Sequence, residues 1–110
     1  VFLGVLLIEH GVSVLIAATA HRRSYRDRAR DQIERFAEIF VRCSPQTCRR
    51  RDPKGLYARA ERGQIHGLPG IHLPYEPPRQ PELVIDTEQH RLESCTSQVV
   101  SFLEIWAPDM

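Results

Sequence analysis

Asp52-Pro53-Lys54-Gly55-Leu56-Tyr57 holds the only lysine of the chain; every other permanently charged cation is arginine. The stretch joins a helix-capping residue type, a compact charge on a flexible stem and an immediate glycine. A phosphate-gripping loop of the form G-x-x-x-x-G-K-S/T needs Ser or Thr after its lysine, and Gly55 stands there instead. The arginines suit phosphate recognition of another kind, because a guanidinium is planar and meets oxygen pairs with two parallel hydrogen bonds. Most arginines on a small domain are nonetheless simply solvated. Cys43, Cys48 and Cys95 lack C-x-x-C spacing, and His66 and His72 have no carboxylate or thiol partner, so no metal site is expected. Free thiols are the simplest account of the cysteines, with Cys95 as a core residue.

Apolar patterning lays out the elements that must position these groups. Residues 1–10 read as a helix, with Gly11 as its left-handed C-terminal cap. Residues 12–18 form a near-continuous apolar run, as in a strand covered on both faces. Residues 22–35 read as an exposed, arginine-rich helix, and 37–43 as a second strand centred on Ile39, Phe40 and Val41. Ser44-Pro45 is a helix start, Ser as N-cap and Pro in the first turn, for a short helix reaching about Arg50. Residues 52–63 read as a further helical piece ending at Gly63. Residues 66–81 crowd glycine and proline into a long loop of the kind that carries function. A third strand covers 83–85, and Leu92, Cys95, Val99, Phe102 (or Leu103) and Trp106 recur at helical spacing.

This alternation predicts an α/β domain in three layers, a parallel sheet flanked by helices. Ligands of such sheets bind beyond the carboxyl ends of the strands. Three segments fall there: Thr19-Ala20-His21-Arg22-Arg23, the stretch with Arg49, Arg50, Arg51 and Lys54, and Asp86-Thr87-Glu88-Gln89-His90.

With 110 residues the chain is one small domain, burying roughly two thirds of its unfolded surface. Hydrophobic residues at 42% and charged residues at 26% describe an ordinary globular protein. A formal net charge of +1 makes no electrostatic case for nucleic acid or an anionic membrane. The apolar first twenty residues are broken by Glu9-His10-Gly11, so neither a spanning helix nor a secretory leader is expected, and the location expected is the cytoplasm.

The run Arg51-Asp52-Pro53-Lys54-Gly55-Leu56-Tyr57, then Ala60, Arg62-Gly63, Ile65, Gly70-Ile71, Pro74-Tyr75-Glu76, Pro78, Pro81-Glu82-Leu83-Val84 and Asp86-Thr87, resembles the adenylyl-sulfate kinases. The likeness extends back through residues 11–18 to Arg23, Arg26-Asp27-Arg28 and Arg30, and covers essentially the whole chain. It implies a P-loop kinase fold and transfer of the γ-phosphoryl of ATP, with Mg²⁺, to the 3′-hydroxyl of adenylyl sulfate. It also implies a homodimer or a fusion with a sulfate adenylyltransferase. Residues 1–110 would be a single partial domain of that family, N-terminally truncated, with a lid-like segment 49–72. The P-loop itself and the first strand of a full kinase would precede Val1, leaving this fragment inactive alone.

The same resemblance assigns roles. Lys54 would be the catalytic lid lysine, touching adenylyl sulfate and supplying a charge near the transferring group. Thr19, Ala20, Arg23, Gly67 and Leu68 would complete the adenylyl sulfate pocket, and Arg51, Thr87 and His90 would lie near the ATP base. Tyr75-Glu76 would fix the loop structurally. The sequence departs from the family pattern at Ala20, where a serine is expected, and at Leu68, where an adenine-stacking phenylalanine is expected. His72-Leu73 replaces an acidic pair. These departures leave open a kinase of the same fold with another small hydroxylated acceptor, or a non-catalytic binding module.

Overall fold

The computed structural model describes residues 1–69 and 72–110. Gly70 and Ile71, part of the signature above, lie outside the described residues.

Helix α1 spans Phe2–Glu9 and stops at the expected glycine. Gly11 takes φ +76°, its N–H donates to Ile8 O and the Val12 N–H to Leu7 O, both at 2.9 Å. That pair of bonds is the Schellman arrangement, which needs a left-handed residue where glycine costs least. α1 packs through its buried Gly4, beside Ile33.

Residues 12–18 are not the buried strand that their composition predicts. They form no regular element, and Leu15 and Ile16 stand 81% and 68% exposed. A strand is made by its neighbours: backbone bonding needs a paired edge and the apolar side chains need a covering layer. Among the described residues the sheet has only two strands, neither of them beside this run.

Helix α2, Arg23–Gln32, is shorter than predicted and ends where Ile33 turns extended. Strand β1, Ile39–Arg42, pairs in parallel with strand β2, Leu83–Asp86, in the register Ile39 to Leu83 through Arg42 to Asp86. Between them come α3, Pro45–Arg51, and α4, Leu56–Glu61. The start of α3 is as predicted: the Ser44 Oγ accepts the Thr47 N–H at 3.3 Å and Pro45 stands in the first turn. The predicted helix over 52–63 shrinks to α4, because Asp52 (φ +23°) and Gly55 (φ +66°) turn the chain the other way. Asp52 does cap α4, its carboxylate accepting the Tyr57 and Ala58 N–H groups at 3.0 and 3.1 Å.

Helix α5, Leu92–Trp106, packs on β2. Cys95 and Ile85 are buried, as expected of Cys95, and so are Ala60 of α4 and Ala107, whereas Leu92 at the helix start is 77% exposed. The α/β class and the parallel pairing follow the sequence expectation. Among the described residues no helix is long and apolar enough to cross a membrane.

Candidate functional site

An open cleft of about 490 Å³ lies where α2 begins, lined by His21, Arg22, Arg23, Asp27, Glu76 and Arg79 among others. Its cations outnumber its carboxylates, so it presents a positive surface to a small anion. Arg23 is fixed at both ends: its backbone N–H donates to Glu76 Oε1 at 2.9 Å and its Nε to Pro77 O at 2.7 Å. Glu76 returns a bond from its own N–H to His21 O at 2.8 Å. Glu76 thereby does for α2 what a capping side chain does, satisfying an amide at the helix start from a distant loop. Tyr75 stacks on Phe40 of β1, with centroids 6.2 Å apart. Both residues hold the loop, as their expected structural part requires.

Of the other residues expected at the acceptor, Ala20 sits at the cleft's edge in a left-handed backbone of φ +40°, and Thr19 beside it is exposed. Gly67 (φ +72°) and half-buried Leu68 do not line the cleft, although Leu73, further along the same loop, does, its N–H donating to Leu68 O at 3.3 Å. That loop closes on itself: the Leu68 N–H donates to His72 Nδ1 at 2.9 Å, and the His72 N–H to Leu68 O at 2.8 Å.

A second cluster forms at the carboxyl ends of the strands. Arg51 Nη2 donates to Thr87 O at 2.9 Å, and Thr87 is seated by its N–H and hydroxyl, both donating to Arg42 O at 3.0 Å. Arg51 and Thr87, far apart in sequence, are therefore in direct contact. His90 follows on an exposed turn whose N–H donates to Asp86 O at 3.2 Å. The turn is tightened by Asp86 Oδ1, which accepts from the Glu88 and Gln89 N–H groups. Glu88 in turn accepts from the Ser44 N–H, and bonding to Ser44 holds its carboxyl below the usual range.

Beneath this cluster burial, then the neighbouring Cys43, raises the Cys48 thiol, and burial, then Cys48, raises the Tyr57 phenol. These groups stay neutral near pH 7 and serve as packing. Lys54 is exposed on the turn between α3 and α4 and has no hydrogen-bond or ion-pair partner among the described residues. The structure does not bring it to the cleft or to the Arg51–Thr87 pair. Sequence reasoning overlooked Arg79, which closes the cleft from the far side. A lone arginine in a proline-rich loop carries no periodic signal, and only the return of that loop over α2 reveals it.

A family profile described as adenylylsulphate kinase matches residues 1–86, so Thr87 and His90 lie just beyond the matched span. The chain is 39% identical over 101 residues to a probable adenylyl-sulfate kinase of Bacillus subtilis, covering 90% of this chain and 51% of the relative. It is 42% identical over 101 residues to an adenylyl-sulfate kinase of Acaryochloris marina, covering 90% and 49%. The chain thus spans about half the length of these curated relatives. It superposes on the crystal structure of APE1195 with a TM-score of 0.83 at 36% identity, covering 94% of this chain and 60% of the other.

Proposed function

The chain belongs to the adenylylsulphate kinase family, and from that premise we propose that it forms the acceptor side of a kinase acting on adenylyl sulfate. The reaction is transfer of the γ-phosphoryl of ATP to the 3′-hydroxyl of adenylyl sulfate, which yields 3′-phosphoadenylyl sulfate. The observation that carries this reading is the open cleft at the start of α2, where Arg22, Arg23 and Arg79 line a space large enough for a nucleotide-sized ligand with an anionic end. Arginine meets a sulfate or phosphate with paired donors, and Arg23 already stands in a fixed pose.

On this reading Arg23, with the backbone of Thr19 and Ala20, receives the phosphosulfate end. Segment 49–72 is the cover, Gly67 and Leu68 meet the adenine, and Lys54 brings its charge to the transferring group as the cover closes. The Arg51–Thr87 pair, with His90, flanks the ATP base. Phosphoryl transfer asks little covalent chemistry of the protein, so these groups act by positioning and by charge. No group of three or more His, Cys, Asp or Glu among the described residues is arranged to hold a metal. No step is assigned to Mg²⁺.

A second reading rests on Leu68 and Ala20. A leucine offers the adenine apolar contact without a π-face, and that favours an acceptor other than adenylyl sulfate. One experiment separates the two. The protein expressed from its complete reading frame is assayed for ATP turnover with adenylyl sulfate and with a panel of small hydroxylated acceptors. Turnover dependent on adenylyl sulfate supports the first reading; turnover only with another acceptor replaces it; none with any acceptor in a folded protein removes both.

A further inference from the structure

We propose that Arg26 is the positioning residue of the acceptor cleft: its guanidinium clamps the backbone of Ala20 to the loop at Glu76 and so sets where Arg23 stands. The inference rests on the reading of that cleft as the acceptor site. Arg26 does not line this cleft, though it lines the adjoining one with Arg23 and Arg79, and its side chain is only 11% exposed. Its guanidinium nitrogens all face protein partners, so it acts through other residues.

Its contacts are spread over separate parts of the chain. Nη1 donates to Ala20 O at 2.7 Å, and Nη2 donates to Glu76 O. Nε lies 2.9 Å from Glu38 Oε2, a charge contact without hydrogen-bond alignment, which leaves that buried N–H without a true acceptor. The guanidinium also covers the Tyr75 ring, 5.4 Å from its centroid. One planar group thus touches the segment before α2, the residue before β1 and the returning loop.

The consequences run outward from those contacts. Ala20 holds φ +40°, a conformation a residue with a Cβ keeps only when its surroundings fix it. Its carbonyl, taken by Arg26, is one such fixed point. Glu76, held through its own carbonyl, presents its carboxylate to the Arg23 N–H and its N–H to His21 O. Without the clamp, the Ala20 and Glu76 backbones lose their common anchor, and Arg23 and His21 lose their register across the cleft. Lysine keeps the charge but lacks the planar fork that reaches two carbonyls while covering a ring.

The test is Arg26→Lys in the protein expressed from its complete reading frame, read in two ways. Amide hydrogen exchange is expected to quicken roughly tenfold or more at Arg23 and Glu76 and to stay unchanged in β2, since the loss is local. The KM for adenylyl sulfate is expected to rise about tenfold with the KM for ATP within about twofold, because the ATP side is positioned elsewhere. Exchange unchanged at Arg23 and Glu76, or quickened evenly through β2 as well, overturns the proposal, the second outcome marking a merely structural arginine. Local quickening with an unaltered acceptor KM also overturns it. A wild-type protein with no adenylyl sulfate turnover instead removes the reading of the cleft, while the exchange pattern still decides whether Arg26 sets the pose of Arg23.

Discussion

The ground around Arg23 and the segment 49–72 are built on opposite plans. Around Arg23 most bonds are long-range: Arg23 to Pro77, Arg26 to Glu76, Arg30 to Glu82 through two bonds of 3.0 and 2.8 Å. Around Lys54 they are local, with Asp52 holding the amides of Tyr57 and Ala58 and Leu68 paired with His72. Among the described residues, the segment's hydrogen bonds reach across only at its start, from Arg51 to Thr87. A floor cross-linked in this way is preorganised. Apart from the Arg51 bond and the buried Ala60, the described part of the segment is folded on its own short turns, and such low-stability pieces are the ones that open. The contrast supports a fixed acceptor bed under a movable cover that carries the lysine.

The largest effect belongs to the cover. Lys54→Ala is expected to lower kcat/KM for the acceptor by roughly 100- to 1000-fold, the scale of one lost charge-stabilising donor, with the thermal midpoint unchanged because the exposed side chain has no hydrogen-bond or ion-pair partner among the described residues. A proportional fall in stability would break the comparison by making Lys54 structural. Next, Arg51→Ala removes the bond that ties the cover to Thr87, and the KM for ATP is expected to rise about tenfold, the loss of a charge-assisted pair, measured by initial rates at saturating acceptor. Leu68→Phe sharpens the reading of the cover: a π-face over adenine is worth about 0.5–1.5 kcal/mol, so the acceptor KM should fall a few-fold.

The smallest effect lies in the bed. Arg30 holds the Glu82 carboxyl below its ordinary value of 4.5, with burial opposing. Because the folded value is depressed, this stabilisation is complete above the ordinary value and is lost as pH falls through the lower folded one. Glu82→Gln is expected to cost about 1 kcal/mol near neutral pH, allowing for partial exposure and screening. The deficit in denaturant unfolding should vanish in acid.

Local rules made much of the frame legible. Gly11 closed α1 and Ser44-Pro45 opened α3 because caps depend on residues next to each other. The parallel pairing was readable from the order of elements, since a crossover must join such strands. What failed was whatever depends on distant neighbours. Residues 12–18 have a strand's composition and no paired edge, and Asp52 and Gly55 unwound a helix that composition favoured. The site divides in the same way. Arg23, Arg26 and Lys54 were singled out through a signature, whereas the contacts of Arg26 and the place of Arg79 appear only when the loop carrying Glu76 folds back over α2.

On the proposed function, the cleft at the start of α2 takes the acceptor. Calorimetric titration of adenylyl sulfate into the wild-type protein and into Arg23→Ala tests it most directly, with no dependence on turnover. The account predicts saturable binding to the wild type, weakened about tenfold or more in the variant by loss of a fork-like anion contact. Equal affinity in the two proteins, or no binding to either, would contradict it.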